Sequence, residues 1–183
     1  MLCSMATISA MIPIGFLDHR KETMFMFREL TRKKQQLPEA ECIELLKSEP
    51  RGVLSVLGDD DYPYGMPMDH WYCPEDGKLY FHSGNGGHKI DAIKHHDKIS
   101  YCLFDKGWAH EGDWILHVRS VVIFGRARII EDQDEAVEIT RKLSYKFTDD
   151  TEFIENTIQA AAHRLLCFEL VIEDMKGKLV TES

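Results

Sequence analysis

The sequence lacks most of the signatures that assign a chemistry at once. Its five cysteines (Cys3, Cys42, Cys73, Cys102 and Cys167) are scattered, odd in number and free of any C-x-x-C. That excludes a disulfide framework and a structural zinc site, and points to the reducing cytoplasm. Nine histidines are present, but no H-E-x-x-H and no histidine pair at helical spacing with an acidic partner, so no metal centre is expected. Ser83 precedes a glycine without a surrounding G-x-S-x-G, which removes the nucleophile elbow of a hydrolase. Positive charge is in deficit: 22 Lys and Arg stand against 31 Asp and Glu, a net charge of −9. A general nucleic-acid binder carries the opposite balance. No apolar run is long enough for a membrane span, because Pro13 and Gly15 interrupt Met1–Leu17 and no basic residue precedes it as in a signal peptide. Internal repeats and low-complexity linkers are also missing.

What remains is 183 residues, 44% hydrophobic and 29% charged, enough for one domain with a real core. Met24 and Met26 open a typical charged segment. Residues 1–25 are therefore expected to be an extension that is loosely ordered or not always translated, and residues 26–183 a single domain.

Met26–Leu37 reads as a basic arm laid over a surface. Pro38 suits a first helical turn, with Cys42, Leu45 and Leu46 on one face, and Pro50-Arg51-Gly52 stops that helix. Strands follow over 53–57, roughly 64–72 and 78–82, joined by the turns Gly58–Asp61 and Pro74–Gly77. Pro67 inside the second marks an edge or irregular position. A helix over 89–95 puts His95-His96 at its C-terminal end, where capping is expected. Strands at 99–104 and within 114–130 come next, with a bulge or bend at Gly125. Helices are expected over 134–147 and 151–163, then a last strand over 165–172 and a polar tail. Strands and helices do not alternate regularly, so the fold class is mainly β, a compact barrel with flanking helices.

Two stretches carry candidate chemistry. In Leu79–Ile93 an apolar strand runs into the glycine-rich Ser83-Gly84-Asn85-Gly86-Gly87 and then into a helix opening on His88-Lys89. Helix N-termini expose unpaired N–H groups, glycines let an anion approach the backbone, and His and Lys add charged donors. This is a phosphate cradle. It is not a known fingerprint, since Lys89 stands where G-x-G-x-x-G needs its third glycine and no Gly-Lys-Ser/Thr occurs. The same residues equally suit a glycine-rich connection with a solvated lysine. In the second stretch, Met66-Pro67-Met68-Asp69-His70-Trp71, alternation puts Met66, Met68 and His70 on one face. Polarisable Met beside His suits a flat aromatic ligand, while a core role accounts for Met66 alone.

Taken in order, these segments resemble the flavin-binding split-barrel superfamily typified by pyridoxamine 5′-phosphate oxidase, and within it the nitroimidazole-resistance family. The resemblance rests on Met26–Leu30 with Arg32–Gln35, Tyr62–Met68, Asp76–Ser83, Gly87–Ile93 and Ser120–Ala127, and covers residues 26 to about 172. It implies a six-stranded, Greek-key-like split barrel that forms a homodimer with FMN, or alternatively FAD, at the interface. Flavin phosphate would lie on His88, Lys89 and the loop amides, with His82 and Ser83 beside the ribityl chain. Met66, Pro67, Met68 and Asp69 would run along the isoalloxazine ring. Ser120 stands where pyridoxamine-phosphate oxidases carry a hydrogen-bonding Gln. His70 falls at the substrate pocket and is the expected catalytic proton donor. Met66 replaces a basic residue of the true oxidases, and their substrate-phosphate residues have no evident match. The implied activity is reduction of a small nitro-heteroaromatic or similar acceptor. A non-catalytic flavin or small-ligand binder and a haem-binding or haem-degrading protein are the alternatives.

Overall fold

A computed structural model describes residues 27–182. The extension expected over 1–25, together with Met26, lies outside them. The described elements are α1 (Glu39–Ser48), β1 (Arg51–Leu57), β2 (Pro63–Asp69), β3 (Trp71–Cys73), β4 (Lys78–Gly84), α2 (His88–His95), β5 (Lys98–Phe104), β6 (Leu116–Ile130), α3 (Gln133–Ser144), α4 (Thr151–Ala161) and β7 (Leu165–Glu182). None of the helices is long and apolar enough to cross a membrane.

All seven strands form one antiparallel sheet in the order β2-β1-β5-β6-β7-β4-β3. β2 and β3 are separated in sequence by His70 alone, yet they occupy opposite edges of that sheet. One residue spans only a few ångströms, so the sheet must curl until its edges meet. The result is a split barrel whose seam lies at His70, and among the described residues no ladder joins β2 to β4 across it. The single strand expected over 64–72 is thus two strands, which makes seven instead of six. Pro67 sits on the edge strand, opposite Val53, where its missing N–H costs nothing.

The barrel interior is one apolar core built from alternate residues: Leu54 and Val56 of β1, Ile99, Tyr101 and Leu103 of β5, Val121 and Ile123 of β6, and Phe168 and Leu170 of β7. α1 closes one end with Cys42, Leu45 and Leu46, and α2 adds Ile90 and Ile93. A smaller cluster of Cys73, Tyr80, Ala136, Ile139 and Cys167 lies under α3. The side chains of Asp132 and Asp150 accept the N–H of Glu135 and Phe153, capping α3 and α4. α3 ends at Ser144, so Phe147, expected on its buried face, is exposed.

β6 and β7 pair along almost their whole length, with a register shift beside Gly125. A Cβ on Gly125 would stand 2.1 Å from the Val171 carbonyl oxygen, so the bulge requires glycine. The expected polar tail is instead the second half of β7. Met175 and Leu179 alternate with Lys176 and Lys178 and pack against the core.

Candidate functional site

The glycine-rich loop, the start of α2 and the outer end of β2 converge at the seam. Gly87 precedes α2 with φ of +98°, a left-handed conformation that favours glycine, and no side chain caps that helix N-terminus. A Cβ at Gly84, Gly86 or Gly87 would meet nothing within 4 Å, so the loop is open on that side. Lys89, in the first turn, is half-buried and reaches back to β2, with its Nζ 3.2 Å from Met68 Sδ. Among the described residues no carboxylate lies within ion-pair distance of it. Burial therefore acts on the ammonium uncompensated and lowers its pKa below the ordinary lysine range.

Arg51, Pro67, Met68, Asp69 and His82 line a cavity of about 340 Å³ across the seam. Arg51 faces Asp69 directly across the β1–β2 ladder, and its Nε donates to Oδ1 at 2.6 Å. The pair fixes both side chains at the cavity wall. Hydrogen bonding to Asp69 raises the arginine pKa further, so Arg51 is a permanent cation there. His82 is exposed and is the cavity's one imidazole among the described residues.

Of the residues singled out in the sequence, the structure brings Pro67, Met68, Asp69 and His82 to one cavity and sets Lys89 against Met68. Ser83 is half-buried on β4 beside His82, and Met66 is half-buried against the core. The His88 side chain goes elsewhere. Its ring stacks on Tyr64 at 4.3 Å, and its Nε2 accepts the Asp59 N–H at 3.3 Å. This corrects the expectation that the imidazole joins Lys89 at the open loop, and leaves His88 only its backbone amide for that purpose. Ser120 lies on β6 opposite Phe104 and Lys178, away from the cavity of this chain.

His70 needs the largest revision. It is fully buried between β2 and β3. Residue 50 is proline, so the Leu46 carbonyl at the end of α1 has no backbone N–H four residues on. His70 Nε2 donates to that oxygen at 2.8 Å, and Lys146 Nζ donates to it at 3.0 Å. The Tyr101 hydroxyl donates to the Met68 carbonyl oxygen at 2.7 Å, and its oxygen lies 2.9 Å from His70 Nδ1. Burial, followed by the charge on Lys146, lowers the His70 pKa to about 3. At neutral pH this ring holds one proton and gives it to a carbonyl, so it ties the end of α1 to the seam. The sequence pattern places His70 correctly beside the two methionines, but the orphan carbonyl that claims it is set by Pro50, twenty residues earlier.

Arg51 was missed in the sequence because it reads as part of a helix stop. Its strand pairing with Asp69, not its own motif, brings it to the site.

A curled antiparallel sheet with a glycine-rich loop and Lys89 at its seam defines a split-barrel protein. A family model described as pyridoxamine 5′-phosphate oxidase matches residues 38–178, and the chain belongs to that family. A search of curated protein sequences returns no match. Among solved structures, a protein assigned to 5-nitroimidazole antibiotic resistance from Bacteroides thetaiotaomicron aligns at 18% identity, covering 80% of this chain and 87% of that one, with a TM-score of 0.67. A FAD-binding protein from Mesorhizobium loti aligns at 22% identity, covering 81% and 97%, with a TM-score of 0.57. A FAD- and haem-binding protein from Mycobacterium smegmatis aligns at 17% identity, covering 79% and 73%, with a TM-score of 0.63. At such identities these likenesses carry the fold alone.

Proposed function

We propose that the protein is a flavin-dependent reductase acting on small nitro-heteroaromatics or similar electron acceptors, and that it works as a homodimer. The observation that carries the flavin is Lys89, a half-buried ammonium with no carboxylate within ion-pair distance among the described residues, set at an open loop and an uncapped helix N-terminus. Such a charge is costly unless an anion joins it. A flavin phosphate is that anion, received by Lys89 and by the loop and first-turn amides. The structural likeness to FAD-binding and nitroimidazole-resistance proteins supports the same reading, and FMN and FAD both satisfy it.

A bound flavin supplies the electron chemistry. The chain supplies the rest. Pro67, Met68 and Asp69 form the wall against which the ring would rest, and Arg51, held by Asp69, places a fixed positive charge at the cavity where negative charge develops on reduction. His82 is the exposed imidazole able to move a proton there. His70 keeps β2 in register with α1 and does not reach the acceptor.

The dimer has its own support. Val53, Phe104, Val122 and Phe124 are exposed on the outer face of β1, β5 and β6, which continues from Pro67 at the cavity. A second copy would bury this surface and wall the cavity from outside. The sequestration of His70 favours one alternative, a flavin-binding protein without turnover.

Replacing Lys89 by Met tests the assignment. Flavin affinity should fall by about 1.5–3 kcal/mol, the usual worth of a hydrogen bond to a charged group. Titration of apo-protein with FMN and FAD measures it, and unchanged affinity for both would remove Lys89 from the site. Catalysed reduction of a nitroimidazole, absent in His82→Ala, separates the reductase from the stoichiometric binder.

A further inference from the structure

On the other side of His70, α1, β3 and α3 border an open depression of about 330 Å³, lined by Lys47, Trp71, Tyr72, Lys142, Tyr145 and Lys146. Three ammonium groups and three aromatic rings meet there in a protein of net charge −9. The Lys142 ammonium lies 5.1 Å from the centre of the Trp71 ring, in cation–π range. Trp71 and Tyr72 are half-buried, so their rings are held, and Tyr145 is exposed at the rim.

A structural role accounts for part of this charge. Lys47 and Lys142 lie in the last turns of α1 and α3, where basic side chains favour the helix dipole. Each helix end carries roughly half a negative charge, so the two offset about one of three ammoniums. Carboxylates also act on these lysines from beyond ion-pair distance, Glu75 on Lys142 and Glu49 and Asp69 on Lys146. The nearest ion pair is Lys142–Glu138 at 3.9 Å, and Glu138 is already bound by Arg141. Glu75 accepts from the Cys73 thiol at 3.0 Å. Lys146 Nζ lies within hydrogen-bond distance of the Leu46 and His70 carbonyl oxygens and the His70 ring. Among the described residues neither Lys47 nor Lys146 has a carboxylate within ion-pair distance. Lys47 and Lys142 therefore bring exposed ammonium groups to an open site with aromatic walls.

We propose that this depression binds a planar aromatic anion, a ring bearing a phosphate or carboxylate, independently of the flavin site. The ring stacks on the aromatic wall and the anion meets the exposed ammonium groups of Lys47 and Lys142. Its volume suits a ligand of mononucleotide size.

Calorimetric titration of the flavin-loaded protein tests it, with AMP as the phosphate probe, 4-hydroxybenzoate as the carboxylate probe, and adenosine and inorganic phosphate as controls. At least one probe should bind saturably below millimolar concentration, at least tenfold more tightly than either control. A Lys47→Ala/Lys142→Ala double variant should weaken that binding tenfold or more with its flavin content unchanged. Both lysines are exposed and neither caps the Leu46 carbonyl, so the variant keeps the fold. Trp71→Leu should weaken the aromatic probe without creating affinity for phosphate. Binding of neither probe, binding that survives the double variant, or phosphate binding as tight as AMP, an adventitious ion only, would each overturn the proposal.

Discussion

His70 should make the protein lose stability in mild acid, well before its carboxylates are protonated. The unfolded chain takes up a proton on this imidazole near pH 6.5, whereas the native ring, buried against Lys146, refuses it until about pH 3. Between those values the unfolded state binds more protons. Stability is therefore complete above about pH 6.5 and falls as pH drops toward 3, by up to about 1.4 kcal/mol per pH unit. By pH 4.5 the accumulated loss is about 2.5–3 kcal/mol, a large part of an ordinary domain's stability. Urea unfolding at pH 7 and pH 4.5 measures it. His70→Gln provides the reference, because the amide can still donate to the Leu46 carbonyl but cannot titrate. Wild type should lose about 2.5–3 kcal/mol more than the variant over that interval. Equal losses, or an NMR titration of the His70 ring centred near pH 6.5, would refute the argument and return His70 to the list of candidate acids.

Two further substitutions test the fold and the assembly. Gly125→Ala forces a Cβ against the Val171 oxygen at 2.1 Å and should cost about 1–3 kcal/mol or more in thermal or urea unfolding; a neutral result would mean that the β6–β7 bulge is not fixed. Val122→Asp puts a charge on the exposed outer face and should convert a dimer to a folded monomer in analytical ultracentrifugation. An unchanged mass would place the interface elsewhere.

The fold was largely legible because its strands alternate. Leu54 and Val56, Val121 and Ile123, and Phe168 and Leu170 mark one buried face at period two, and Asp150 and Asp132 mark helix starts by their side-chain chemistry. Features set by distant pairing were not legible. Nothing local separates β2 from β3, since Tyr64–Tyr72 reads as one strand until the curl of the sheet sends its halves to opposite edges. The 173–182 stretch reads as polar because Lys176 and Lys178 hide the alternation of Met175, Gly177 and Leu179. At the seam, the position of Lys89 in the first turn of α2 was visible from the glycines before it. The diversion of His88 to Asp59 and Tyr64 depends on the β1–β2 turn, and no spacing within Ser83–Lys89 encodes it.

Two lysines in this one sheet system argue most directly for an anion at the seam. Lys78, at the start of β4, sits beside the buried Glu169 with Nζ 2.7 Å from its Oε2, and that partner raises its pKa. Lys89, beyond the other end of β4, meets only a thioether among the described residues, and burial lowers its pKa. Among the described residues the first lysine is balanced by a carboxylate and the second is not. A structural ammonium in Lys89's place would be better served by a carboxylate or by solvent. If its role is to meet a ligand, it is a liability without one. Lys89→Met should leave the apo-protein as stable as wild type or more so, while removing most of the stabilisation that added flavin gives the wild type. Urea unfolding with and without saturating FMN reads both quantities. A variant that unfolds more easily in the absence of flavin would show that Lys89 stabilises the barrel itself and would break the inference from its missing partner.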